Sequence, residues 1–308
     1  MVTIALVTCA QVPGLDADTR RLLAPLAARG VRARPAVWDD PDVEWSAIDL
    51  AVVRSCWDYH ERRAEFLAWA DRIPRLANPA DMLAWNTDKR YLRDLAAQGI
   101  PVVPTTWLEP GSRWRPAPDG RWVIKPAVSI AAMDTGSYDL ADRPQRGLAA
   151  AHIRRLHAAR RTVMVQPYQH AVDTEGETSL VYFGGSFSHA VRKAAVLDGP
   201  DTGADRRFQP DGGLRLGTAQ PTTAQRRLAD RVVAAVPGGA ARLSYARVDL
   251  VPDADGAPQL IELELTEPQL YLRHIPHAAE RFARTLAAMA ADPGHDQRSP
   301  LAARHATA

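Results

Sequence analysis

The hexapeptide Leu260-Ile261-Glu262-Leu263-Glu264-Leu265 alternates apolar and acidic residues with a period of two. In an extended chain successive side chains point to opposite faces, so Glu262 and Glu264 share one face while Ile261, Leu263 and Leu265 claim the other. Strict alternation of this kind predicts a half-buried strand. Two carboxylates side by side repel, and a cleft tolerates them mainly when a divalent cation lies between. Asp253-Ala254-Asp255-Gly256 turns the chain just upstream, so the runs 242–251 and 259–265 are expected to pair antiparallel, with Asp249 as a third oxygen ligand. Three hard-oxygen donors favour Mg²⁺ over a zinc-type ion. The plainer reading of the same residues is the solvated face of a hairpin.

Of the 38 basic residues, only Lys89, Lys125 and Lys193 are lysine. In a sequence that otherwise writes its cations as arginine, a lysine marks a position that needs a compact ammonium and has no room for a planar fork. Lys89 opens a helix-like segment, residues 85–92, and Lys125 ends the strand-like run 121–126. Taken singly each is more simply a surface cation. Together with the downstream carboxylates they suggest lysines for phosphates and carboxylates for metal.

Along the chain, strands are expected over 2–8, 31–38 and 50–53 and helices over 18–29 and 61–72, the first of these helices stopped by Gly30. This alternation predicts a small parallel α/β domain over residues 1–80, closed by Asn78-Pro79. A central subdomain, 81–165, combines a helix over 88–98, an extended stretch over 100–107, a hairpin loop over 110–120, a strand over 122–125, a helix over 147–161 and a strand over 162–166. The third unit, 166–292, holds strands 178–183 and 186–193 joined at Gly184-Gly185, a polar loop over 198–213, a helix over 222–236, the acidic hairpin and a last helix near 278–290. Residues 293–308 are expected to be disordered. The class is α/β shading into α+β: a parallel amino-terminal domain followed by two mixed subdomains.

A net charge of +2 without a long basic block gives no support to a nucleic-acid or anionic-membrane partner. Cys9 and Cys56 are the only cysteines, which fits a reduced, cytoplasmic protein. The amino terminus reads as a first strand and not as a signal peptide, and no apolar run has the length of a membrane span. A nicotinamide-dependent enzyme is disfavoured, because the segment from Thr8 to Gly14 lacks a GxGxxG turn.

Other segments offer polar groups at expected strand ends. Gln166-Pro167-Tyr168 sits where main-chain groups can meet an adenine edge, and Glu177 opens the next strand, where a carboxylate can accept from ribose hydroxyls. Arg192 ends a strand, and Arg206 and Arg207 lie in the polar loop, as candidates to stabilise a transferring phosphoryl group or clamp a substrate carboxylate. Arg54, Trp57, Asp58 and Tyr59 are candidates for a substrate wall, the alternative being a capped turn with core aromatics. Thr266-Glu267-Pro268, just after the acidic strand, is placed to meet the substrate's polar end.

The order of these elements resembles the ATP-grasp superfamily, which includes glutathione synthetase, D-alanine ligase and related carboxylate–amine ligases. The resemblance covers roughly residues 80–275, with residues 1–80 similar to that family's preceding α/β domain. It implies two mixed subdomains clasping ATP, with Lys89 and Lys125 on the phosphates, Gln166 to Tyr168 as adenine hinge, Glu177 near the ribose, and Asp249, Glu262 and Glu264 holding one or two Mg²⁺. The last of these positions is commonly Asn in the family, so Glu264 is a departure. Arg207-Phe208-Gln209-Pro210-Asp211-Gly212-Gly213 is similar to an Arg-x-Asn-x-x-x-Gly-Gly element but one residue short, so Arg206 and Arg207 both stand for that role. The phosphate-covering loop, residues 127–137, has one glycine where the family is glycine-rich, and the hydroxyls of Ser129, Thr135 and Ser137 are expected to replace some N–H donors.

Arg54-Ser55-Cys56-Trp57-Asp58-Tyr59 and Asn86-Thr87-Asp88-Lys89 are similar to the cyclo-ligase subgroup that closes O-ureido-serine into cycloserine. The implied activity is ATP-dependent activation of a small amino-acid-like carboxylate as an acyl phosphate, captured by a nitrogen nucleophile. Lys125, Arg192 and Arg207 are then the catalytic cations, and closure of the two loops excludes water. A dipeptide-forming ligase and an inactive nucleotide-binding regulator are the alternatives, and a homodimer is compatible with all three readings.

Overall fold

A computed structural model of the chain describes residues 1–195, 197, 199–201 and 216–292. Most of the polar loop, including Arg206 and Arg207, and the tail expected to be disordered lie outside the described residues. The first sheet is parallel, in the order β2-β1-β3, with β1 (Thr3–Thr8), β2 (Arg32–Val37) and β3 (Leu50–Ser55). All six residues of β3 are buried, the near-continuous burial that helices on both faces of a parallel sheet produce. The first expected helix is short, a 3₁₀ turn followed by α1 (Leu23–Ala27), and Gly30 ends that region at φ 72°. On the other face α2 (Arg63–Arg72) sets Phe66 and Trp69 edge-on to Trp38.

Two helices follow where one is expected, α3 (Ala80–Asn86) and α4 (Tyr91–Ala97). Lys89 therefore lies in the turn between them and does not open a helix. The second sheet, antiparallel throughout, has the order β4-β7-β5-β6, with β4 (Thr106–Leu108), β5 (Arg121–Pro126), β6 (Gly136–Asp139), α5 (Arg143–Ala158) across one face and β7 (Val163–Pro167). Because β4 pairs with β7 and not with β5, residues 110–120 are a crossing connection and not the expected hairpin.

The third sheet follows α6 (Ala171–Glu175) and comprises β8 (Glu177–Phe183), β9 (Ser186–Lys193), β10 (Leu216–Thr218), β11 (Tyr245–Pro252) and β12 (Pro258–Glu264). It is antiparallel in the order β10-β9-β8-β11-β12. It is flanked by α7 (Thr223–Ala234), whose first turn carries a Thr222–Gln225 capping box, and by α8 (Ala278–Ala291). The acidic hairpin forms as expected, with Asp249 opposite Glu262. Met82, Tyr91, Leu92 and Leu95 share a core with Leu228, Val248 and Leu263, so α3 and α4 pack on this third sheet although they precede the second in the chain.

β12 ends the sheet, but its outer edge is not open. The Leu263 N–H donates to Tyr91 Oη (2.8 Å) and the Leu265 N–H to Asn86 Oδ1 (2.7 Å), while Asn86 Nδ2 donates to the Leu263 carbonyl (2.8 Å). Leu260 donates to the Pro101 carbonyl (2.8 Å) and accepts from the Val103 N–H (3.0 Å). Asn78 reaches the Leu265 and Tyr245 carbonyls at 2.7 and 2.9 Å, joining the first domain to both strands.

Candidate active site

A cavity of about 760 Å³ runs from the facing second and third sheets to the carboxyl ends of β1 and β3. At one end strand alternation aims Glu262 and Glu264 inward from β12 and Arg247 from β11. Lys89, only 8 % exposed, is held under the 127–137 loop: its N–H donates to the Ala127 carbonyl (2.8 Å), and its Nζ donates to the Ser129 carbonyl (2.9 Å) and Oγ (3.3 Å) and stands 3.3 Å from Glu262 Oε1. Lys125, equally buried, faces the same carboxylate; burial pulls its ammonium below the ordinary lysine range and Glu262 works against that. Burial would raise Glu262, but Lys89 and Lys125 outweigh it and hold the carboxyl below its usual value.

Arg247 was not singled out from the sequence, although its position two residues before Asp249 on a strand puts both on one face. Its guanidinium bridges Asp249 and Glu264. Burial pushes the Glu264 carboxyl up to about 7, and Glu262 and Asp249 add to that against the pull of Arg247. Asp249, 1 % exposed, accepts from Ser179 Oγ (2.6 Å), Lys193 Nζ (2.8 Å) and Arg247. Burial raises this carboxyl too, but Arg247 and Lys193 hold it far below its ordinary value. Glu262 and Glu264 thus offer hard oxygens to the cavity, which fits a divalent cation. Asp249 lies behind them, its oxygens accepting from Ser179, Lys193 and Arg247, and among the described residues no three such groups are gathered as a ligand set.

Arg192 is one correction. It is exposed and faces away from the cavity, while its neighbour Lys193 faces in and pairs with Glu177 (2.7 Å) and Asp249 (2.8 Å). The register that sets Lys193 opposite Glu177 decides which of the two cations turns inward. Glu177 lines the cavity as expected.

Gln166, Pro167 and Tyr168 form the far wall. The Tyr168 N–H already donates to the Arg121 carbonyl (2.8 Å), and the Arg121 guanidinium lies over the Tyr168 ring at 3.9 Å, so that N–H is not open to a ligand. In the covering loop Ser129 and Thr135 line the cavity, whereas Ser137 sits in β6 and accepts from Arg121 Nη2 (3.0 Å). The backbone there is left-handed at Ala131, Ala132 and Asp134 (φ 47°, 56° and 52°), where glycine is the easier residue. Arg155 and Arg161 hold Asp134 in that conformation through ion pairs.

At the opposite end Arg54, at the end of β3, and Trp57, Tyr59 and Thr266 line the cavity, joined by Asp18 and Glu267. Burial, with Glu264 adding to it, pushes the Glu267 carboxyl well above the usual carboxylate range. Asp58 is a second correction: it accepts from Trp38 Nε1 (2.9 Å) inside the first domain and does not reach the cavity. Asp18 lies in an irregular turn where no periodicity marks it.

Residues 4–78 match the family model of the D-cycloserine synthetase DcsG amino-terminal domain. The cycloserine biosynthesis protein DcsG of Streptomyces lavendulae is 38% identical over 92% of this chain and 97% of its own length. The crystal structure of D-cycloserine synthetase DcsG superposes with a TM-score of 0.79 at 35% identity, over 94% of this chain and 99% of that one. The fold extends to D-alanine–D-alanine ligase from Bacillus anthracis in complex with ATP (TM-score 0.61, 14% identity, 94% and 97% coverage). It extends equally to the ATP-grasp ligase PsnB with Mg and ADP (TM-score 0.60, 18% identity, 94% and 99%). Among the described residues no helix is long and apolar enough to cross a membrane. The chain belongs to the DcsG family and has the fold of the ATP-grasp ligases.

Proposed function

We propose that this chain is an ATP-dependent ligase that activates the carboxylate of O-ureido-serine and closes it, within the same molecule, into cycloserine. The observation that carries the reading is one cavity with two buried lysines and two inward carboxylates at one end and Arg54 at the other, in a chain 38% identical to a cycloserine biosynthesis protein. In this reading the adenine lies against the 166–169 wall and the phosphates reach Lys89 and Lys125. Mg²⁺, with Glu262 and Glu264 as its protein oxygens, would supply charge neutralisation at the phosphates.

The substrate carboxylate attacks the terminal phosphorus, ADP leaves, and an acyl phosphate results. The chain has little covalent work to do here: Lys89 and Lys125 position and neutralise the transferring group. The ureido nitrogen attached to oxygen then attacks the acyl carbon and phosphate departs. To become the ring N–H that nitrogen must also shed its carbamoyl group, which water converts to carbon dioxide and ammonia. Docking of the covering loop on α5 through Asp134 shields the acyl phosphate from hydrolysis.

The test is phosphate release with ATP·Mg and O-ureido-serine as sole acid, with product masses read in parallel. Cycloserine formed without a second amine is the expected result. Phosphate release that depends on a second amino acid, with a dipeptide mass, would replace ring closure by intermolecular ligation.

A further inference from the structure

The outermost strand of the second sheet, β6, is paired within that sheet on one side only, and strand edges of this kind are usually covered. What covers this one comes from the third sheet. β9 ends at Lys193, which pairs with Glu177 and Asp249, and the chain beyond it places Ala195 and Leu197 in the cavity wall. By Gly199 it has crossed to β6: the Ser137 N–H donates to the Gly199 carbonyl (2.9 Å) and the Asp201 N–H to Tyr138 Oη (3.2 Å). A strap thus joins the two sheets that face each other across the cavity.

Two residues of the second sheet and its helix are fitted to this crossing. Gly136 is not in the left-handed region, so its backbone angles do not call for glycine. A Cβ there would instead overlap the Asp201 backbone nitrogen and lie 2.7 Å from Tyr138 Oη. The one glycine of the 127–137 loop therefore makes room for the strap. Arg155, on α5, pairs through Nη1 with Asp134 of that loop (2.7 Å) and through Nη2 with Asp201 of the strap. The Asp201 side chain is 8 % exposed, and its other neighbour, His152 Nε2, stands 3.7 Å away, beyond hydrogen-bond reach. Burial holds that imidazole below its ordinary value, so it does not replace the guanidinium as a cation. Without Arg155, Asp134 would keep Arg161 while Asp201 would keep no charged partner.

We infer that Arg155 is a positioning residue for the reaction: it locks the strap to the covering loop, so that the cavity opens for nucleotide exchange only when both segments release together. The inference rests on the reading that this cavity binds ATP. Arg155 does not itself line the cavity and acts through Asp134 and Asp201.

Stopped-flow release of N-methylanthraniloyl ADP with Mg²⁺ present tests it. Arg155→Met is expected to speed release by about fivefold or more, and Gly136→Ala to do the same by displacing the strap; Arg155→Lys, which keeps a cation but loses the fork, is expected to restore part of the slow release. The Arg155→Met, Asp201→Asn double variant should release no faster than Arg155→Met alone. With O-ureido-serine and ATP, phosphate freed per ring closed is expected to rise in the same variants, because an unlatched cavity admits water to the acyl phosphate. Release at the wild-type rate in Arg155→Met and Gly136→Ala overturns the inference. Additive effects in the double variant overturn it too, since Arg155 would then act by some route other than Asp201. A variant that no longer binds nucleotide has lost its fold, and Asp201→Asn, which must also speed release, then decides. A wild type that binds the analogue but closes no ring removes the substrate reading and leaves this inference to the release rates, whereas failure to bind the analogue removes both.

Discussion

The two ends of the cavity treat charge in opposite ways. Beside the third sheet, Lys89 stands against Glu262, Lys193 against Glu177 and Asp249, and Arg247 against Asp249 and Glu264. Beside the first sheet, Arg54 and Asp18 are buried with hydrogen-bonding positions unmet. A network paired with itself can take in a polyanion and its metal by exchanging partners, and can pair again when they leave. Arg54 and Asp18 are instead each anchored to the backbone of segment 268–273 and have no second charged partner to exchange with. The exchangeable pairs and the anchored ones thus lie beside different sheets of one chain.

The contrast can be broken most severely at Arg247. Removing one partner of a buried ionic cluster leaves an uncompensated charge, so Arg247→Met is expected to lower stability by about 3–5 kcal/mol in urea unfolding. A loss below about 1 kcal/mol would mean that the cluster is solvated and not self-paired. Next come Lys125→Met and Glu262→Gln, each expected to cut ATP-dependent turnover by about 10²–10³-fold while a cooperative unfolding transition is retained. Rates close to wild type in either variant would falsify the assignment of this end to phosphate and metal.

A smaller effect is expected at Glu264. Its folded-state value of about 7 lies above its ordinary 4.5, so the folded chain holds an extra proton between those values and Glu264 lowers stability as pH rises through that window. Glutamine carries no such cost. The midpoint difference between Glu264→Gln and wild type should therefore move in the variant's favour from about pH 5 to about pH 8; a constant difference would show that burial does not govern this carboxyl. Smallest of all is Arg192→Ala, expected to alter turnover by less than about twofold, whereas Lys193→Ala removes a cation that faces the cavity. Equal losses in the two would reverse the inward and outward assignment on β9.

Residues in regular strands were the most legible. The spacing of Glu262 and Glu264 determines their shared face in any straight strand, and the same rule applied to Arg247 and Asp249 would have exposed the bridge between them. Arg192 and Lys193 were harder, because alternation says only that one of two neighbours faces in; the register with β8 says which. The partner of β4 was hidden for a similar reason: proximity in sequence favoured a hairpin with β5, and the pairing with β7 depends on the whole sheet. Asp18 opens the stretch expected as a helix, which is an irregular turn there, so no periodicity tied it to a face, whereas Glu267 was legible from its place just after the acidic strand. The environment of Asp58 was equally invisible, since the indole of Trp38 that holds it comes from a different loop.

The side chains that close the outer edge of β12 also fix how that strand can lie. A slide by one position would turn Leu263 toward the nucleotide cavity and bury the acids among leucines. Asn86, Tyr91 and the Pro101–Val103 backbone admit only one alignment, so the acids are held in place by hydrogen bonds made on the far side of their own strand. The same coverage leaves no free ladder for a foreign chain to extend, which protects the sheet at its most heavily used strand from templated aggregation.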